Sequence, residues 1–341
     1  MKAARLFGKS DIRIVEEPAP QPEPGKVLLR IEAVAICASD LRLYEEGDAS
    51  GVVPDHPMIQ GHEFSGTVVA LGEGVDGPAV GTPVAVEPSW HCGECELCRM
   101  GMTNICGHVV FPSFPQEDGA LRQYMNCPAF SVCHTGPGMD AVSRALTEPL
   151  GVGVHAVRLA DMKPQDSIAI LGAGCIGMCT MVAAQAAGFA DIIVAEPRED
   201  RRAFPATLGA HTVAATAADL EAAIGDPVRC PNVVLECSGD NAAVEQAMRL
   251  VRPGGKVVVV GIPHPDDVTF NSTVPRRKEL TVYFSRRSRN TLEHCVELVE
   301  QGRVDLTVFP VKEFSLEDTA AAFEAAQRRE PGMLRAVVKV S

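Results

Sequence analysis

"SIAILGAGCIGM", residues 167–178, decides the fold. An apolar, strand-like run enters a turn that carries Gly172, Gly174 and Gly177, and a helical pattern follows. Glycines at this spacing permit a tight turn and close approach of a pyrophosphate. The helix that opens there, with Cys175 and Ile176 in its first turn, turns its free amides toward the phosphates. The glycines alone also fit an ordinary α/β turn. The context adds a second strand, "DIIVA" (191–195), followed directly by Glu196. A carboxylate there takes both ribose hydroxyls and repels a 2′-phosphate, which favours NAD over NADP. Arg198 and Arg201 stand close by and pull the other way; Arg201 is grouped with the cofactor-binding residues.

Outward from this turn, "HTVAA" (211–215), "NVVLEC" (232–237), "GKVVVVG" (255–261) and "LTVYFS" (280–285) complete a set of six apolar strand candidates with helix-length gaps. Strands of nearly continuous Val and Ile that alternate with helices indicate a parallel sheet covered on both faces. Six of them make a doubly wound Rossmann domain, placed at 151–285. The preceding half reads as short β runs, among them "KVLLRIEAVAI" (26–36), "FSGTVVALG" (64–72) and "GTPVAVEP" (81–88), broken by Gly and Pro. Helical spacing appears at 143–160. Beyond 285 the pattern gives a helix at about 290–301, a strand near 304–311, a helix from Ser315 and a last strand, "RAVVKV". A β-rich domain of 1–150, completed by 286–341, is expected around the inserted one.

The chain has 341 residues and a net charge of −13. That balance excludes a phosphate-backbone partner, which needs basic patches. No run approaches the roughly 18 apolar residues of a membrane span, and the charged N-terminus lacks a signal-peptide core, so a cytoplasmic protein is expected. Reducing surroundings bear on the twelve cysteines. Four of them, Cys92, Cys95, Cys98 and Cys106, lie within "HCGECELCRMGMTNIC" (91–106). Four thiolates on one loop close a tetrahedron round Zn2+ and leave no position for substrate, which makes the site structural. A disulfide knot, an iron–sulfur cluster and a zinc-finger-like module are the competing readings. The cytosolic expectation, the absence of other electron-transfer features and the acidic balance weigh against each in turn. The remaining cysteines other than Cys37 read as small buried apolar residues.

A catalytic metal needs about three protein ligands and an open position. "ICASD" offers Cys37, with Ser39 and Asp40 behind it; "IQGHEFSG" offers His62 and Glu63; "LTEPLG" offers Glu148. Each taken singly is as compatible with packing as with ligation. Their joint order, followed by the four-cysteine loop and the glycine turn, resembles the zinc-dependent medium-chain dehydrogenases over essentially the whole chain. "EPLGVGVHAV", "FPSFPQEDGALRQYM" (111–125) and "RRSRNT" (286–291) are similar to the polyol branch, of sorbitol and xylitol type.

The resemblance implies a GroES-like catalytic domain, one catalytic and one structural zinc per chain, NAD as hydride acceptor, and a homodimer or homotetramer. It implies that Cys37, His62 and Glu63 ligate the catalytic zinc and that Glu148 binds the metal or its water. It further implies that Ser39 passes the alcohol proton outward and that Arg287 lies near substrate hydroxyls. Ser288 stands where sorbitol enzymes tend to carry an aromatic residue, and the "RRSR" run is more basic than a neutral sugar alcohol requires. A sugar acid such as L-idonate is therefore an alternative substrate. A non-catalytic zinc module on the same fold is the alternative of another class, opposed by the intact set of candidate ligands.

Overall fold

The long apolar run at 26–36 becomes the strand Lys26–Ala35, with seven of its ten residues buried, and the first of two units is built around it. The structure, a computed structural model, describes residues 1–48, 51–115, 117–163, 165–210, 212–226 and 229–341. The chain divides into Met1–Glu148 with Leu292–Ser341, and Pro149–Thr291. The division falls inside the helix Ala141–Ala160, at Pro149.

In the first unit, Lys26–Ala35 pairs antiparallel with Glu63–Leu71, with Tyr124–Pro128 and with Arg335–Lys339. Pro83–Val86 and Val132–His134 extend the sheet on one side, and Val311–Ser315 extends it on the other. A separate small sheet joins Asp11–Glu16, Lys2–Gly8 and Met58–Ile59. Phe64, Leu29, Ile31 and Phe323 are fully enclosed in the core between these parts. The register brings chain ends together: Ala35 faces Glu63 on one side and Val337 on the other. Residues 36–37, 61–63 and 335 therefore emerge at the same end of the sheet.

The second unit carries six parallel strands in the order Thr212–Ala214, Ile192–Ala195, Ile168–Leu171, Val233–Glu236, Lys256–Val259 and Thr281–Phe284. That is the doubly wound arrangement expected from the sequence. Leu171 aligns with both Ala195 and Glu236, so the glycine turn, Glu196 and the segment 237–239 leave the sheet together at its carboxyl end. His211, first residue of the candidate at 211–215, lies outside the described residues.

Two expectations need correction. No strand forms at 304–310. Val304, Leu306 and Phe309 are buried within turns, and the strand starts at Val311, after Pro310 has accepted the amide of Leu334 at 2.7 Å. The apolar spacing there records burial in a loop. The following helix runs from Thr319 to Gln327 rather than from Ser315, whose hydroxyl donates to Asp318 at 2.7 Å in the turn before it. Among the described residues no helix is long and apolar enough to cross a membrane.

Gly119 ties the segment after Pro115 to the strand-end loop at 59–62. A Cβ on it would lie 2.5 Å from the carbonyl carbon of Gln60, so Gly119→Ala is expected to lower stability by about 1–3 kcal/mol. Thermal unfolding of the full chain, beside wild type, measures this.

Candidate metal centre and dinucleotide turn

Cys37 leaves the strand Lys26–Ala35 and caps the helix Ala38–Glu46 in extended conformation. Asp40, in the first turn, accepts the amide of Cys37 at 3.0 Å and fixes the start of the helix. His62 precedes the strand Glu63–Leu71. Because Ala35 pairs with Glu63, one ligand atom each of Cys37, His62 and Glu63 lies within 4.8 Å of the others. His62 and Glu63 are buried and Cys37 is half-buried. The carboxyl of Glu148 falls outside that group but is buried beside it. Burial and the neighbouring Glu63 push its pKa up to about 8.

Glu63 is fully enclosed and receives a bidentate ion pair from Arg335, with Nε to Oε2 at 3.1 Å. The Nδ1 of His62 faces Asp40 Oδ1 at 3.4 Å, which leaves Nε2 as the outward donor. Burial disfavours the imidazolium, yet the negative charges of Asp40 and Cys37 hold the His62 pKa well above its ordinary value. Phe111 packs against the same ring at a tilt of 51°, centroid to centroid 5.0 Å. Ser39 is exposed on the first turn of its helix. A soft thiol, an imidazole and a carboxylate, surrounded by further buried acid groups, form a donor set suited to zinc. Arg335 was not anticipated. It opens a run that reads simply as a terminal strand, and only the register reveals its partner.

The four-cysteine loop is a second, separate cluster, with all four Sγ atoms within 4.8 Å of one another. Cys92 and Cys98 are 3.9 Å apart, Cys95 and Cys106 3.8 Å, and Cys106 and Cys92 3.6 Å. A tetrahedron with Zn–S bonds of about 2.3 Å has edges of about 3.8 Å, so the thiols are spaced for one ion. None of the four sulfurs is bonded to another here, and their separations are those of ligands round one ion rather than of a disulfide. Backbone amides point at the sulfurs, from Cys95 to Cys92 at 3.4 Å and from Cys98 to Cys95 at 3.5 Å. The amide of Cys98 lowers the Cys95 thiol to about 7. Of the eight cysteines outside this cluster, Cys37 and Cys133 are half-buried and the remaining six are buried.

In the second unit the three glycines have separate reasons. Gly172 has φ +98° with Ser238 against it, and a Cβ on Gly177 would lie 1.9 Å from the Gly172 carbonyl oxygen. Gly174 instead borders open space, with only Arg201 Nη1 at 3.8 Å from a Cβ position. That opening is what a pyrophosphate needs, and the Arg201 charge suits it. Cys175 and Ile176 begin the helix Cys175–Ala186. Glu196 is buried and accepts the amides of Ala173 at 2.7 Å and Arg198 at 2.9 Å. Arg198 is paired with Asp200 at 2.6 Å. Arg287 is half-buried at φ +53°, and Ser288 is buried beside Gly151.

Comparison with known proteins agrees with this geometry. Residues 23–137 match the alcohol dehydrogenase GroES-like domain, and residues 175–301 match the zinc-binding dehydrogenase family. A sorbitol dehydrogenase of Bacillus subtilis is 34% identical over 99% of this chain and 97% of its own. The crystal structure of an Escherichia coli oxidoreductase/dehydrogenase of unknown specificity superposes with a TM-score of 0.93 at 32% identity, over 100% of this chain and 99% of that one. A zinc-binding dehydrogenase of Sinorhizobium meliloti, solved with NADP, gives a TM-score of 0.89 at 28% identity over 99% of both chains. The fold and the paired sites define a dinucleotide-binding oxidoreductase. The chain belongs to the zinc-dependent medium-chain dehydrogenase family, in its polyol dehydrogenase branch.

Replacing Arg335 with Leu leaves Glu63 buried without its cation, and about 3–5 kcal/mol of stability should be lost in denaturant unfolding. For the cysteine loop, metal analysis of Cys95→Ala should find one zinc fewer than in wild type. Wild-type zinc content in that variant would contradict the assignment.

Proposed function

We propose that the chain oxidises a secondary alcohol of a polyol, of sorbitol or xylitol kind, to the ketose, with NAD as acceptor. Cys37, His62 and Glu63 supply the donors of the catalytic metal site, with Glu148 beside them to bind the metal or its water, and Cys92, Cys95, Cys98 and Cys106 hold a structural zinc. The observation that carries this reading is the convergence of Cys37, His62 and Glu63 at one sheet end in a chain of the zinc-binding dehydrogenase family. Three mixed donors leave a coordination position open, whereas four thiolates leave none.

Zinc held by those donors would supply Lewis-acid polarisation of the alcohol oxygen, and NAD held at the glycine turn would supply the hydride acceptor. The protein's own groups do the rest. Asp40 faces the Nδ1 side of His62, and Arg335 forms an ion pair with Glu63 at full burial. Glu148, its pKa held up to about 8 by burial and the neighbouring Glu63, is the carboxyl beside the ligands that favours its protonated form until a cation binds. The exposed hydroxyl of Ser39, two residues from Cys37, passes the released proton to water. Gly174 admits the pyrophosphate, Arg201 balances its charge, and Glu196 takes the ribose hydroxyls. Because Asp200 already engages Arg198, the balance at that turn favours NAD. Arg287 is assigned to substrate hydroxyls on family resemblance.

NADH and NADPH formation across sorbitol, xylitol, galactitol, L-idonate and simple alcohols tests the reading. Turnover of at least one polyol with preference for NAD is expected, and Glu196→Ala should narrow that preference by about tenfold, equivalent to about 1.4 kcal/mol. Turnover of L-idonate alone would move the assignment to a sugar-acid dehydrogenase. Silence across the whole panel would overturn it.

A further inference from the structure

Ser113 is a buried, non-glycine residue with φ +71°, in the left-handed region that L side chains rarely occupy. Glycine adopts that conformation without penalty, so a serine there calls for a reason in its side chain. Its hydroxyl donates to Asp40 Oδ1 and accepts the amide of Gly61 at 2.9 Å. The same Asp40 oxygen lies 3.4 Å from the Gly61 amide and 3.4 Å from His62 Nδ1. Gly61, at φ +94°, has no room for a Cβ, which would lie 2.5 Å from Val34 Cγ1. Two residues before Ser113, Phe111 packs at a tilt against His62. One hydroxyl thus joins the acid behind His62 to the backbone immediately before it.

We infer that Ser113 is a positioning residue for the metal centre: its hydroxyl fixes Asp40 Oδ1 and the Gly61 amide together, and so sets the direction in which His62 presents Nε2. The His62–Asp40 separation of 3.4 Å is an ion-pair distance rather than a tight hydrogen bond, so Asp40 by itself fixes the ring only loosely. The hydroxyl removes that looseness from both sides, by holding the carboxylate oxygen and the peptide that carries the ring. Groups behind a metal-bound histidine commonly contribute 10- to 100-fold in metal affinity. This inference rests on the proposed metal site at Cys37, His62 and Glu63.

Two variants separate positioning from a simple turn role. Ser113→Gly removes the hydroxyl and relieves the left-handed backbone; Ser113→Ala removes the hydroxyl and keeps the strain. Both are examined as full chains, by zinc retention against a graded chelator and by the visible spectrum after cobalt replaces zinc. The expected result is that both release the zinc at Cys37 about 10- to 100-fold more readily than wild type and show an altered cobalt spectrum, while the Cys92 cluster keeps its metal. After chelation, Ser113→Gly should melt no lower than equally treated wild type. Wild-type retention and an unchanged cobalt spectrum in both variants would overturn the inference, as would failure of Ser113→Gly to fold. A wild-type protein that binds no metal at Cys37 would instead refute the underlying site.

Discussion

Ala35 faces Glu63 across one ladder and Val337 across the other, and this double pairing is the constraint on which the candidate metal centre depends. A one-residue slip in either ladder would turn alternate side chains to the opposite face of the sheet. With the register in place, the thiol of Cys37 meets His62 and Glu63, while the guanidinium of Arg335 arrives behind Glu63. The core packed below, with Phe64 and Leu29 fully enclosed, penalises any slip because it would expose those side chains.

The site carries a deliberate excess of buried acid. Asp40, Glu63 and Glu148 are all buried around Cys37, against one guanidinium and one imidazole. Enclosed negative charge is costly without compensation, and the raised pKa of Glu148 is the local response. A divalent cation is the compensation that such a donor set favours. The cysteine loop handles the same problem differently, by turning backbone amides toward its sulfurs and exposing part of the cluster to water.

What was legible in the sequence was what is local in the chain. The glycine turn with Glu196 after the next strand, the six apolar strands and the four spaced cysteines each lie within a short window, so spacing alone carries their geometry. Cys37, His62, Glu63 and Glu148 are dispersed, and only their order in a known family joined them; the fold then brought three into one group and set Glu148 beside it. Arg335 and Ser113 gave no signal. The first hides in a terminal strand pattern and the second in a turn-rich stretch, and each acts on a partner far away in sequence. The opening strand Lys2–Gly8 was missed because charges interrupt it, although Ala3, Ala4 and Leu6 are buried. At 304–310 apolar residues that simply fill the core resembled a ladder.

The two clusters differ in how much of the chain each requires, and this has a consequence for biosynthesis. The four thiols at 92–106 come from one contiguous loop, so their grouping draws no ligand from distant parts of the chain. The centre at Cys37 needs Arg335, some 300 residues later, and the strand that carries it closes the register only after the whole intervening Pro149–Thr291 unit has been synthesised. Contacts so distant in sequence form late. The local cluster is therefore the one able to form first, and the dispersed group at Cys37 is the one that waits for distant parts of the fold.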